Sequence, residues 1–349
     1  MKKIVKLVLG IDVAQGELVT CLSGISDDWE AKILGHRNFT NTKKGFEALI
    51  LWVKKMTDGS VQVRYVMEAT GVYHQSLAYF IEAKGYEVSI VLPNKISSYG
   101  KSLDVKTITD KTSSEAIARF GLERKLDLWQ QPKKIFLELK QLTRERDQIV
   151  DERTMAKNQL HAEETEAFPN KNSVARIKAR IRILNKQESE IKTEISCLVK
   201  TDEGVAKSVK VICTIPGVAL LTAAIVLAET NGFEMIRSRR QLTSYAGLDI
   251  KEKQSGTSVN GKPRISKQGN KHLRKAMHMP ALSAIRHGEC FRAVYVRLVS
   301  KHGIKMKGAV AVQRKLLEMI YTVHKTNTAF DKDFGKAIVT EGVEQKQAA

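Results

Sequence analysis

Leu9-Gly10-Ile11-Asp12-Val13 is the stretch on which the fold turns. The strand it belongs to is apolar on both alternating faces, as a strand covered on both sides of a sheet must be. A carboxylate then appears near its end. Burying an ionised side chain there is costly unless a partner or a cation compensates it. The pattern returns in Val66-Met67-Glu68-Ala69-Thr70-Gly71, where Glu68 closes another apolar run.

Working outward, Lys3 to Val13 and Glu17 to Ile25 read as two strands joined by the turn Ala14-Gln15-Gly16, and Ala31 to Phe39 as a third. Asn41 or Thr42 then caps a helix with Phe46, Leu49, Ile50 and Val53 at helical spacing. Val61 to Met67 is a fourth strand. A helix carrying Tyr73, Leu77, Phe80 and Ile81 follows, and then a fifth strand, Glu87 to Leu92. Three strands of a meander, then helix, strand, helix and strand, is the element order of an α/β ribonuclease-H-like (RuvC-like) domain, expected over residues 1–130. Other α/β domains share parts of that order.

In such a sheet the first and fourth strands are neighbours, so Asp12 and Glu68 would converge at one sheet end. Asp110, in Thr109-Asp110-Lys111 at the start of the helix of Ser113 to Phe120, is a third acid. Converging carboxylates repel one another unless a divalent cation neutralises them, and hard oxygen ligands suit Mg²⁺ or Mn²⁺. Two such ions can clamp a phosphodiester. Each acid alone could instead be a salt-bridge partner, and Asp110 a helix N-cap.

Residues 131–205 change character. Leu139, Leu142 and Ile149 lead to a break at Phe168-Pro169-Asn170, and Val174, Ile177, Ile181, Leu184, Ile191, Ile195 and Leu198 resume the period. This narrow seam predicts an antiparallel helical hairpin or a coiled coil, either a solvated spacer or a dimerising element. Residues 206–330 read as a mainly α domain. Its Cys213-Thr214-Ile215-Pro216-Gly217-Val218 fits the hairpin of a helix-hairpin-helix or an ordinary turn between core helices. Residues 249–268 read as a loop. Helices through Ala276 to Ile285 and Val310 to Val323 follow, then a disordered tail over 331–349.

Composition narrows the function. The chain of 349 residues is 42% hydrophobic and 28% charged, with a formal net charge of +20. No apolar run approaches the roughly 20 residues of a membrane span. The N-terminus runs directly into a strand, which is not the pattern of a signal peptide. The four cysteines form no Cys-x-x-Cys pair, which fits a reducing cytoplasm and no zinc site. Between Lys251 and Lys315, 16 Lys and Arg stand against two acids, Glu252 and Glu289. Charge clustered in this way points to nucleic acid.

Within that stretch, Lys253-Gln254-Ser255-Gly256-Thr257-Ser258-Val259-Asn260-Gly261 sets hydroxyls among glycines. Lys262, Arg264, Lys267, Lys271, Arg274 and Lys275 follow it as candidate phosphate contacts. A serine becomes a nucleophile only when a base or metal activates it, and Ser/Gly loops are common.

Taken together these residues resemble one family. The matching segments are Gly10-Ile11-Asp12, Glu68-Ala69-Thr70-Gly71, Thr109-Asp110-Lys111, Ile215-Pro216-Gly217, Tyr245-Ala246-Gly247-Leu248, Ser255-Gly256 with Gly261, Ser266-Lys267-Gln268-Gly269-Asn270 and Leu273-Arg274-Lys275-Ala276. In order and spacing they resemble the transposases of the insertion-sequence family numbered one hundred and ten. The resemblance implies that Asp12, Glu68 and Asp110 bind Mg²⁺ and that Ser255 attacks DNA to form a phosphoserine. It also implies donor and target DNA as partners, a noncoding guide RNA and a homo-oligomer, dimer or tetramer, working at the nucleoid. The family's Asp-x-x-Asp places a fourth acid where this chain has Ser113. Glu115, two residues on, leaves the helix in a direction more than half a turn away.

Three rivals make different predictions. A junction nuclease of the same fold would use water and leave no protein on its products. An actin-like ATPase or sugar kinase shares a Gly10-Ile11-Asp12-Val13-like loop, but no second aspartate-glycine motif follows. A nucleic-acid scaffold without catalysis would tolerate loss of Asp12.

Overall fold

The computed structural model describes residues 3–331 apart from 70, 104–106, 108, 235, 253, 256–258 and 262, and of 254, 255, 259 and 260 the backbone only. Lys262, the expected tail after Asp331 and much of the serine loop therefore lie outside the described residues. The chain divides into two compact units, Met1–Gln131 and Pro132–Ala349.

The first unit is built on a five-stranded sheet. Strands β1 (Ile4–Val13), β2 (Glu17–Ser26) and β3 (Ala31–Thr40) form an antiparallel meander. Helix α1 (Lys43–Met56) leads to β4 (Val63–Glu68), and α2 (Gln75–Ala83) leads to β5 (Val88–Val91). Strand β4 lies parallel to β1, and β5 parallel to β4, giving the order β3-β2-β1-β4-β5. This is the ribonuclease-H-like arrangement that the element order predicts. Helices α3 (Pro93–Lys101) and α4 (Asp110–Glu123) complete the unit.

The two-residue period of the strands sorts the core. Leu7, Leu9, Ile11 and Val13 of β1, with Tyr65 and Met67 of β4, pack with Leu49, Val53, Leu77 and Ile81 of α1 and α2. Val8 and Val66 point the other way and join Ile117, Ala118 and Leu122 of α4. Gly10, Asp12 and Glu68 continue that second face by alternation.

The second unit begins with α5 (Lys134–Thr165) and α6 (Lys171–Lys200), the latter capped by the Asn170 side chain. Contacts pair Arg146 with Glu188 at 2.9 Å, Arg153 with Asn185 at 3.0 Å and Glu164 with Lys178 at 2.8 Å. Residue numbers that rise on one helix as they fall on the other mark an antiparallel hairpin. Helices α7 (Glu203–Ile212), α8 (Leu220–Thr230) and α9 (Arg239–Tyr245) follow.

Two short antiparallel pairs come next, where the sequence suggests only loop. They are β6 (Ile250–Lys251) with β9 (Arg264–Ile265), and β7 (Gln254–Ser255) with β8 (Val259–Asn260). Helices α10 (Lys271–Ala276), α11 (His278–His287), α12 (Glu289–His302) and α13 (Lys305–Thr326) close the unit. One core runs through it, from Leu139, Leu184 and Ile195 of the hairpin to Ala228, Leu273, Leu316 and Ile320.

The Pro216-Gly217 turn between α7 and α8 is a packing device. Gly217 sits at φ +85°, and a Cβ there would lie 2.5 Å from the Pro280 carbonyl oxygen and 2.7 Å from the Ala284 nitrogen. That close approach to α11 accounts for the glycine. Among the described residues no helix is long and apolar enough to cross a membrane.

Candidate active site

Three segments bring the three acids together. Ile11 pairs with Met67 across the parallel β1/β4 ladder, so Asp12 and Glu68 follow side by side at the carboxyl ends of their strands. Both fall on the face covered by α4. That helix runs antiparallel to β1, as its close contacts show. A Cβ on Gly10 would lie 2.3 Å from Ala118 N and from Ser114 O, and one on Gly121 2.8 Å from Val8 Cγ1. At the far end Lys6 Nζ donates to the carbonyl oxygens of Gly121 and Leu122 at 2.6 and 2.7 Å, satisfying the helix C-terminus. The opposite end of α4, with Asp110 in its first turn, is thereby carried toward Asp12.

The electrostatics record the convergence. Burial, then the charges of Asp110 and Glu68, push the Asp12 carboxyl up to about 6, against a smaller lowering by the Val13 backbone N–H. Asp110 is not the helix cap. Thr109 takes that place, its hydroxyl accepting from Thr112 N at 3.2 Å while Thr112 Oγ1 accepts from Thr109 N at 2.8 Å. A residue without a capping duty is free to present its carboxylate.

Ser113 lies one turn along α4 from Asp110, half-buried and on the same face. Glu115 is turned elsewhere, its carboxylate 3.0 Å from His36 Nε2 on β3. Among the described residues no group of three or more His, Cys, Asp or Glu forms a ready metal site.

Asn41, foreseen as a cap candidate, has a different place. Thr42 caps α1. The Asn41 amide donates to Ala14 O at 2.9 Å and to Tyr73 O at 3.2 Å, tying together the segments that leave β1 and β4 just after the acids.

In the second unit, Ser255 lies on β7, paired in register with Val259. The base of its loop is closed by hydrogen bonds from Ser266 N to Asp249 O at 2.9 Å, Lys267 N to Gly247 O at 3.1 Å and Asn270 N to Tyr245 O at 2.7 Å. Of the candidate phosphate contacts, Arg264, Lys267 and Lys271 are exposed. Arg274 Nη1 donates to Ala246 O at 2.7 Å, and Lys275 pairs with Asp151 of α5 at 2.8 Å, so these two also serve the fold.

Glu229, which the sequence reading passes over, is the most completely buried acid among the described residues, with 0% of its side chain exposed. Arg144 Nε and Nη2 reach its two oxygens at 2.8 and 3.0 Å, and Asn270 Nδ2 at 2.6 Å. It lies in the last turn of a largely apolar helix, a signal like that of Asp12 and Glu68.

Comparison with known proteins agrees along the chain. A family model of DEDD transposases of the IS110 type matches residues 9–169, and one for the Transposase IS116/IS110/IS902 family matches residues 209–296. The pilin gene-inverting proteins of Moraxella bovis and Moraxella lacunata are each 29% identical over 333 residues, covering 94% of this chain and 98% of theirs. Among solved structures, Thermus thermophilus RuvC in complex with a Holliday junction substrate overlaps 35% of this chain and 99% of its own, at 14% identity and a TM-score of 0.26. The strand order above, rather than that weak overlap, defines the fold. With both halves matched by models of one group and its relatives aligned nearly end to end, the chain belongs to the IS110 family of DNA transposases and recombinases.

Proposed function

We propose that the protein cuts and rejoins DNA through a covalent phosphoserine at Ser255, assisted by divalent cations held by Asp12, Glu68 and Asp110. The observation that carries this reading is the β1/β4 ladder, which sets Asp12 beside Glu68, with the Asp110 end of α4 carried toward them by its antiparallel packing on β1. Oxygen donors that repel one another fit Mg²⁺ or Mn²⁺, and an incomplete protein shell fits an ion that keeps water or substrate oxygens. Ser113 Oγ stands where it could add a weak or water-mediated ligand. A bound divalent ion would supply charge to neutralise the phosphate and lower the barrier to losing the attacking proton.

In the proposed step the Ser255 oxygen bonds to phosphorus, its proton leaves, and the phosphorus–oxygen bond to one deoxyribose breaks. The departing oxygen takes up a proton and becomes a free hydroxyl. After exchange, a DNA hydroxyl attacks the phosphoserine and restores Ser255. One phosphodiester is conserved throughout, so no nucleotide cofactor is needed. Arg264, Lys267 and Lys271 are placed on phosphates, with Lys262, Arg274 and Lys275 as further contacts. A noncoding guide RNA selects the donor and target DNA, the α5/α6 hairpin winds as a coiled coil, and the protein works as a homo-oligomer in the cytoplasm at the nucleoid. Pilin gene inversion, for which the two Moraxella relatives are named, is itself a rearrangement of DNA and supports recombination.

The test is capture of a protein–DNA adduct under denaturing conditions. The adduct should vanish in Ser255→Ala and persist in Ser258→Ala, and recombination should be lost in Asp12→Asn. Cleaved DNA without attached protein in the wild type would replace this reading with metal-dependent hydrolysis by water. That alternative needs only the acids.

A further inference from the structure

Glu229 belongs to no step of the proposed chemistry, yet its surroundings are elaborate. It lies in the last turn of α8, and burial works to raise its carboxyl. Hydrogen bonds from Arg144 and Asn270, with the charges of Arg144 and Lys140, overcome that and hold it below the usual carboxylate range. An apolar residue at this position would cost less than a buried ion pair. The pair therefore calls for a reason other than stability.

Its partners supply one. Asn270 stands where the serine loop re-enters the helical core. Its side-chain oxygen caps α10 by accepting from Leu273 N at 2.9 Å, and its amide nitrogen is given to Glu229 at 2.6 Å and to Tyr245 Oη at 3.3 Å. Tyr245 stands where the chain leaves the core toward that loop, and its hydroxyl donates to the Glu229 carbonyl oxygen at 3.0 Å. The entry and exit of the loop are thus both fastened to one residue. The two backbone segments pack closely there, since a Cβ on Gly269, at φ +142°, would lie 2.4 Å from Tyr245 O. Arg144, on the long hairpin helix α5, grips the other side of Glu229 with a two-point contact that a lysine cannot reproduce.

We propose that Glu229, clasped by Arg144 and Asn270, is a positioning residue that fixes the base of the Ser255 loop to the hairpin helix α5. This rests on Ser255 being the nucleophile. Its contribution is to the aim of the serine, with no contact to DNA required. Movement of α5 relative to α8 would then be felt at the loop, which ties strand transfer to the state of the hairpin.

The experiment uses the full-length protein and two mild substitutions. Asn270→Ser keeps a capping oxygen for α10 and removes the amide. Arg144→Lys keeps the charge and removes the fork. Three quantities are read: amide hydrogen exchange at Ser266, Lys267 and Asn270, affinity for DNA, and the rate of covalent adduct formation. Losing a charge-assisted hydrogen bond should speed exchange at those amides and slow adduct formation about tenfold or more in each variant. DNA affinity should stay within about twofold, because the phosphate contacts are untouched. Exchange at wild-type rates in both variants would overturn the proposal. So would faster exchange with an unchanged adduct rate. If wild type itself forms no adduct, the serine chemistry fails and the proposed aim of Ser255 fails with it. The exchange data would still report separately whether Glu229 holds the loop base.

Discussion

Gly10 of β1 lies beneath Ala118 of α4 at a distance no other residue could keep, since a Cβ there would stand 2.3 Å from the Ala118 backbone nitrogen. The obstructing atoms, Ala118 N and Ser114 O, are backbone, so no rotamer change relieves the clash. In Gly10→Ala the helix must lift, and Asp110 at its N-terminus moves with it. Displacing a catalytic group by about 1 Å costs on the order of a hundredfold in rate, and overpacking costs about 1–3 kcal/mol. Recombination should fall accordingly, with a lower Tm. Gly24→Ala is the control, because its Cβ would meet only the Ile4 and Leu7 side chains, at 3.2 Å. Wild-type activity in Gly10→Ala would mean that the seat of α4 does not govern the acids.

Asp12 gives a prediction whose sign depends on pH. Its carboxyl is raised to about 6 in the folded protein, so the fold disfavours the ionised form. The metal-free protein should therefore lose stability as pH rises from about 4, the ordinary value, through about 6. Asp12→Asn removes the penalty. It should stabilise the metal-free protein at pH 7.5 by about 1 kcal/mol, the rise from about 4 to about 6 being discounted for a half-exposed group. At pH 4 the two proteins should melt alike. Added Mg²⁺ or Mn²⁺ should raise the wild-type Tm at pH 7.5 and leave Asp12→Asn nearly unmoved. A variant less stable than wild type at pH 7.5 without metal would contradict the raised Asp12 carboxyl and the burial and neighbouring charges behind it.

What the sequence revealed and what it hid follow from how each feature is encoded. The strands and the acids at their ends are local: a period of two in apolar residues, broken by one carboxylate, is visible in five residues around Asp12. Thr109 rather than Asp110 caps α4 because the reciprocal bond with Thr112 completes a capping box, a pairing detectable three residues apart. The strand pairs β6/β9 and β7/β8 lack apolar alternation, being held by backbone pairing at the loop base, so they read as loop. Glu229 did carry the same local signal as Asp12. Its meaning lay 85 residues away at Arg144 and 41 residues away at Asn270, separations that no periodicity records.

Glu188 holds the hairpin at its middle. Its buried carboxylate meets Arg146 at 2.9 Å, Lys192 at 2.8 Å and also Arg153. Burial alone would raise it, but hydrogen bonds from Lys192, Arg146 and Arg153 bring it down to about 2. The stability it adds is complete above the ordinary glutamate value of about 4.5 and fades as pH falls toward about 2. Glu188→Gln should destabilise the protein at pH 7 by about 2 kcal/mol, less than a fully buried pair because the arginines keep some solvent contact. Near pH 2 the variant and wild type should converge. Equal urea midpoints at pH 7 would show that solvent screens the cluster completely.

Asn41 offers the sharpest test of how the acids are held apart. One amide group spans two carbonyl oxygens, Ala14 O two residues beyond Asp12 and Tyr73 O five beyond Glu68. Two hydrogen bonds of ordinary strength, partly exposed, contribute about 1 kcal/mol in all, so Asn41→Ala should lower stability only by that much. The larger effect should fall on cation binding, because both tethered segments lead directly from an acid proposed as a ligand. Loss of such outer support typically weakens metal affinity on the order of tenfold or more. The Mn²⁺ concentration giving half-maximal thermal stabilisation should rise by that factor, and saturating Mn²⁺ should restore most recombination activity. Asn41→Asp keeps the shape but has no donor for either carbonyl, so it should behave no better than alanine. If Mn²⁺ stabilises Asn41→Ala at the wild-type concentration, the clamp has no bearing on the acids, and their spacing is set by the β1/β4 ladder alone.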